Sequence, residues 1–385
     1  MRNTILLLLF FIAAMLVPQE AFSLPFFARL VGRDCTYCHI AFPKLNETGK
    51  TYRANGYRFA EDDGWLDVKN PKVIPVALEI ELEAMYDRLE KPDNIDEDSD
   101  LKVEGVELIT GGALGKSGRV SFLAIVGIEQ TETKGGHTYF EPFASSMFLQ
   151  INDLLGPKGE GRLNLKAGQW DIGLPFMGSF QKAISNKYQA EKTLDVFTSE
   201  HTAFELNGSI LGEEHSFMPT HRYYLGITKE KNIDDEEKVE GWYAVYSLTF
   251  NELYNIGAIY RHGEQQDGPV DITTKKYGIA GEAELRSFVL GAGWFRSEWE
   301  HGIDLDNYLL EALYMPFERF ITGARYEIIH TNGLDDATEA TLMARFYITQ
   351  KVHIQSEYRY GEDRDHVLGS ADRSDKVRLF LVALF

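Results

Sequence analysis

Cys35 and Cys38 stand three positions apart and His39 follows directly, so the run Cys35-Thr36-Tyr37-Cys38-His39 reads C-x-x-C-H. Two thiols at this spacing reach the two vinyl groups on one edge of a porphyrin. The adjoining histidine then falls beneath the iron as an axial ligand, which is the attachment chemistry of haem c. These are the only two cysteines in the chain, so one covalent haem uses both thiols and leaves no disulfide framework. Zinc takes about four ligands, and no second cysteine pair exists to supply them. A redox dithiol has no need of the following histidine and is usually set in a βαβ unit.

Covalent haem attachment requires export, and residues 1–23 fit a cleaved signal peptide: Arg2, an apolar run over 5–17, Pro18, and the ending Ala21-Phe22-Ser23. The apolar run is too short to stay in a bilayer as a spanning helix. Cleavage near Leu24 removes Arg2 and Glu20 together, so the formal charge of -20 is unchanged. That acidic balance argues against binding nucleic acid or anionic headgroups. No Ser-His-Asp, Walker or paired-carboxylate hydrolase constellation stands out, and with 59 acidic residues close carboxylate pairs arise by chance.

From residue 73 onward no apolar stretch is long enough for a transmembrane helix, but short segments alternate apolar or aromatic residues with polar ones between turn residues. This is the pattern of a transmembrane β-barrel. Sixteen strands are expected, at 73–90, 101–113, 119–130, 138–152, 161–171, 202–211, 220–229, 241–250, 253–261, 271–284, 286–300, 305–316, 319–330, 337–349, 352–361 and 376–385. Short joins such as Asn251-Glu252, Pro316-Phe317-Glu318 and Gln350-Lys351 alternate with long acidic ones at 93–100, 234–240 and 361–375. Outer-membrane barrels have short periplasmic turns and longer external loops, and an even strand count leaves both termini periplasmic. The last segment alternates Val377, Leu379, Leu381 and Ala383 and ends at Phe385, resembling the aromatic-terminated final strand of bacterial outer-membrane proteins. Alternation assigns Val352, Ile354, Ser356, Tyr358 and Tyr360 to the lipid and His353, Gln355, Glu357 and Arg359 to the lumen. It likewise turns Val76, Leu78, Ile80 and Leu82 outward and Glu79, Glu81 and Glu83 inward, where the carboxylates form a hydrated wall or line a cation path.

Residues 24–72 then form a haem segment ahead of a 73–385 barrel. The segment is too short for a complete soluble class-I cytochrome and holds no methionine and no second histidine. A histidine or methionine as sixth ligand must therefore come from the barrel, the alternatives being a five-coordinate iron or one bound by another group; a segment that borrows a ligand from the wall sits in the lumen or its periplasmic mouth as a plug. His353 is inward by alternation and just past a short turn; Met343 is inward on the neighbouring strand, and His215, Met218 and His221 cluster at one join.

The run Pro25-Phe26-Phe27-Ala28-Arg29, Gly32, Cys35 to His39, Phe42-Pro43, Leu45-Asn46, Gly49, Tyr52 and Asn55-Gly56-Tyr57 resembles the N-terminal signature of fused outer-membrane monohaem cytochrome-porins. That resemblance implies a short haem segment before a barrel of about sixteen strands. It implies Cys35 and Cys38 as attachment points, His39 as proximal ligand, and Pro43, Asn46, Gly49 and Gly56 as residues shaping the haem pocket. It also implies electron transfer across the outer membrane, from extracellular Fe(II) or a similar reductant to a periplasmic c-type cytochrome. The same conduit run outward as a terminal reductase, and a diffusion porin with a structural or sensory haem plug, are the competing expectations.

Overall fold

The computed structural model describes residues 26–59, 75–91, 93–131, 139–212, 218–229, 241–267, 270–300, 302, 304–363 and 373–385. The expected signal peptide and the end of the haem segment lie outside these residues. The first described part holds α1 (Phe26–Val31), a 3-10 turn (Cys35–Tyr37), a hairpin of β1 (His39–Ala41) and β2 (Lys44–Leu45), and α2 (Glu47–Ala54). Sixteen strands follow: β3 (Ala77–Lys91), β4 (Asn94–Leu114), β5 (Val120–Gln130), β6 (Phe140–Leu155), β7 (Leu163–Ile172), β8 (Thr198–Ile210), β9 (Thr220–Thr228), β10 (Gly241–Phe250), β11 (Tyr254–Asp267), β12 (Val270–Leu285), β13 (Phe288–Trp299), β14 (Leu305–Phe317), β15 (Phe320–Thr331), β16 (Ala337–Tyr347), β17 (Val352–Glu362) and β18 (Arg373–Leu384). Each pairs antiparallel with its neighbour, and β18 pairs with β3 to close the barrel. The all-β expectation and its strand count are met.

Alternation decides which residues face in. On β10, Tyr243, Val245, Ser247 and Thr249 are buried inward while Trp242, Tyr246 and Phe250 are exposed on the outer face. On β17, His353, Gln355 and Glu357 face in and Ile354, Ser356 and Tyr358 face out, but Val352 at its first position is covered rather than lipid-exposed. Outward rings gather where the strands meet their turns, as in the stacked pair Phe288 and Tyr314, 4.6 Å between centroids. Aromatic side chains suit that interfacial level.

The joins differ from expectation in two places. Residues 94–100, read as acidic loop, extend β4 in register with β3, because opposite charges meet across the ladder: Arg88 is the register partner of Glu97, 3.7 Å apart, and Lys91 pairs with Asp96 at 2.5 Å. The loop expected at 361–375 is shorter, since β17 runs to Glu362 and β18 starts at Arg373. The acidic join at 234–240 lies outside the described residues.

The N-terminal segment occupies the lumen at the end of the barrel that carries the short turns. Around its circumference Glu47 pairs with Arg222 of β9, Lys44 with Glu282 of β12, and Arg58 with Asp153 of β6 at 2.6 Å. Arg345 of β16 donates to the Phe42 carbonyl. A second filling comes from the join between β7 and β8, residues 173–197, which includes α3 (Gln189–Lys192). It crosses to the opposite wall, where Glu357 accepts from the Ser185 and Asn186 amides at 2.5 and 3.2 Å, and Arg325 donates to the Asn186 carbonyl at 2.7 Å. The two fillings touch: Lys44 Nζ donates to the Phe176 and Gln181 carbonyls at 3.0 and 3.1 Å.

Lys44→Ala would leave Glu282 buried without its cation. It is expected to cost about 3–5 kcal/mol, read as a lower denaturant midpoint of the folded band on unheated gels. Lys44→Met combined with Glu282→Leu should recover most of that loss.

Candidate haem-binding site

The attachment loop is shaped by short-range bonds. Tyr37 N donates to Asp34 O at 3.0 Å and Cys38 N to Cys35 O at 3.2 Å, closing the 3-10 turn that carries both cysteines. Asn46 is the joint between that turn and α2. Its amide N donates to Cys38 O at 2.9 Å, its side-chain Nδ2 donates to Tyr37 O at 3.1 Å, and its Oδ1 accepts from Gly49 N at 3.0 Å as the helix N-cap. A side chain at Gly49 would run into the Cys38 carbonyl and Leu45, so the helix packs on the attachment turn only with glycine there. Gly56 serves a different contact: at φ +71° it lies against Asn152 and Ser121 of the wall.

His39 Nδ1 lies 3.1 Å from the Pro43 carbonyl oxygen. A carbonyl only accepts, so Nδ1 carries the proton and Nε2 keeps a lone pair for a metal. Burial pushes the His39 imidazole down to about 4, which keeps it neutral near pH 7 with no proton to release on ligation. Burial also pushes the Cys38 thiol up to about 11, and it raises Cys35 against the opposing charge of Lys351. Among the described residues no three His, Cys, Asp or Glu side chains converge on one metal position.

The wall beside the attachment hairpin comes from β16, β17 and the turn between them. His353 is 5% exposed, with its ring 5.2 Å from that of Tyr347. Arg345, which reaches the Phe42 carbonyl, also donates to the Tyr347 hydroxyl at 3.2 Å and to the Ala183 carbonyl at 2.6 Å. His353 therefore belongs to the wall patch that grips the hairpin. Met343 points inward but is packed in an apolar cluster with Ala41, Ala183 and Ile184. Two of the other ligand candidates are placed away from the lumen. His221 bonds Tyr246 Oη at 2.6 Å on the outer face, because alternation turns Arg222 inward, and Met218 is 69% exposed. His215 lies outside the described residues.

The residues present suit a covalent haem: two free cysteines on one turn, a neutral histidine with its Nε2 lone pair available, and a cation that needs a counter-charge. That cation is Lys351, 8% exposed, whose Nζ is buried with no hydrogen-bond partner among the described residues. Sequence reasoning missed Lys351, Arg345 and residues 173–197; the first lies in a turn noted only for its length.

No sequence model of a known family matches the chain, and no curated protein matches it. Solved structures do. The anion-selective porin from Comamonas acidovorans has a TM-score of 0.60 at 10% identity, covering 80% of this chain and 99% of that one. Salmonella typhi OmpF, solved in complex with daunomycin, has a TM-score of 0.59 at 10% identity, covering 80% and 97%. The outer membrane channel DcaP of Acinetobacter baumannii has a TM-score of 0.56 at 10% identity, with the same coverage. The chain thus has the fold of an outer-membrane porin barrel.

Asn46→Ala is expected to lose the helix cap and the ties to the attachment turn, costing about 1–2 kcal/mol. Limited proteolysis of the folded barrel should then cut the N-terminal segment faster, while Asn46→Asp, which keeps the cap acceptor, should fall between the two.

Proposed function

We propose that this protein is an outer-membrane cytochrome-porin that carries one covalent haem c in its lumen filling and moves electrons across the outer membrane. The observation that carries the reading is the C-x-x-C-H turn, docked inside a porin barrel with its histidine oriented by Pro43. Cys35 and Cys38 would hold the haem through thioethers and His39 Nε2 would ligate the iron, with His353 of the adjoining wall as the candidate for a second protein ligand. Bound there, haem c supplies a one-electron Fe(III)/Fe(II) couple.

The chain's own residues do the rest. The Pro43 carbonyl fixes the tautomer of His39, and Asn46 holds the attachment turn against α2. Residues 173–197 cover the filling from the other end, with Ile184, Leu194, Val196 and Phe197 fully buried, and so keep water from the interior. With the short turns and both termini periplasmic, the attachment turn lies within reach of a periplasmic c-type cytochrome. The external donor must come down into the lumen, because the apolar band of such a barrel is about 25 Å tall. The exposed carboxylates Asp98 and Asp100 of the β3–β4 hairpin would concentrate a divalent cation such as Fe(II) at the entrance. An open diffusion porin is less well supported, since two segments fill the lumen.

Anaerobic Fe(II) added to the oxidised, detergent-purified protein is expected to develop the reduced haem α-band in about one equivalent per chain. Reduction by dithionite alone would overturn iron oxidation and favour outward flow, and absence of a haem c spectrum would overturn the cytochrome reading itself. His39→Ala should perturb or abolish that spectrum while the barrel still assembles. In planar bilayers the native chain should conduct poorly, and deleting 178–192 should raise its conductance several-fold.

A further inference from the structure

We infer that Lys351 is a haem-positioning residue, its ammonium receiving a propionate carboxylate of the haem attached at Cys35 and Cys38. This rests on the cytochrome reading above and adds a residue that the C-x-x-C-H motif does not include. A lysine head group enclosed by protein without a hydrogen-bond acceptor is costly, and native structures almost always supply a counter-charge or a ligand. Lys351 Nζ is enclosed in this way and has no acceptor among the described residues.

Its place is not accidental to the chain path. The turn between β16 and β17 is pinned by Leu384 N donating to Lys351 O at 2.9 Å and by Lys351 N donating to Thr349 Oγ1 at 3.2 Å. The backbone therefore cannot swing away to let the side chain reach solvent. The charge lies close enough to Cys35 to act on its thiol, and Arg29 of α1, whose Nη2 donates to Val76 O at 2.9 Å, is within electrostatic range of the same ammonium. Asp34 is the carboxylate whose charge acts on Cys35, and Lys351 Nζ takes no acceptor from it or from any other described residue. Among the described residues no acceptor stands beside the Lys351 ammonium, and a haem attached at Cys35 and Cys38 would carry two propionate carboxylates. A lysine whose head group is enclosed and whose backbone is pinned would hold a propionate in one place.

The test uses the full chain matured with haem, comparing wild type, Lys351→Gln, Lys351→Arg and, as a control, the exposed Lys116→Gln. Haem content per folded barrel is measured first, followed by the midpoint potential and the propionate-bending band in resonance Raman spectra. The expected result is haem attached in all four, with Lys351→Gln alone shifting the Raman band and lowering the potential, since losing a nearby cation favours the ferric state. Lys351→Arg should restore both. Haem attached at full occupancy with potential and Raman band unchanged in Lys351→Gln would overturn the role of Lys351 and leave the cytochrome reading intact. Wild type without haem would overturn the cytochrome reading, and this inference with it.

Discussion

A barrel of sixteen strands is too wide for its own inward side chains to fill, so whatever closes this lumen must satisfy a polar wall as well as occupy space. The chain meets that constraint with ion pairs that are themselves buried. The Lys44 and Glu282 side chains are 1% and 2% exposed, and Arg58 and Asp153 are 5% and 3%. Such pairs add little net stability over an apolar substitute, but breaking one is costly. Their effect is positional: the N-terminal segment has one docked arrangement in which its cations meet the carboxylates the strands present.

The two fillings are not independent. Ala41 of the attachment hairpin, Ala183 and Ile184 of the inward segment, and Leu313 and Met343 of the wall share one small apolar cluster. Lys44 reaches across to two carbonyls of the inward segment while paired with Glu282. The C-x-x-C-H turn and its hairpin are therefore held by Asn46 and α2, by Arg345 of the wall and, through Lys44, by the inward segment. Rigid support of this kind is what a redox or ligand site needs if its geometry is to survive exchange of partners.

Much of this was legible in the sequence, and the parts that were not have identifiable causes. Strand β10 was read at its observed bounds because Trp242, Tyr246 and Phe250 alternate cleanly with smaller or polar residues. The hairpin tip at 94–100 was misread because its density of aspartate suggested a solvated loop, whereas its charges find partners only once β3 lies alongside. Residues 173–197 carry no period, and their burial depends on Glu327, Glu339 and Glu357, more than a hundred positions away. Within the site, the motif residues were evident, as was the inward direction of His353. The bond from His39 to Pro43 and the three roles of Asn46 needed coordinates, since they depend on how a hairpin and a helix fold back on five residues.

The turn that carries Lys351 and leads into His353 is tied to Leu384, and the last residue exchanges two backbone hydrogen bonds with Leu78, Leu78 N to Phe385 O at 3.0 Å and Phe385 N to Leu78 O at 2.8 Å. The wall facing the N-terminal cysteines is thus set by the seam where the final strand meets the first. Residues 35–39 and the turn at Lys351 come from opposite ends of the sequence, and they face each other only when the barrel zips shut. Completion of the site is in that sense a record that the whole protein has been inserted and closed, so an unfinished barrel would not present a finished centre.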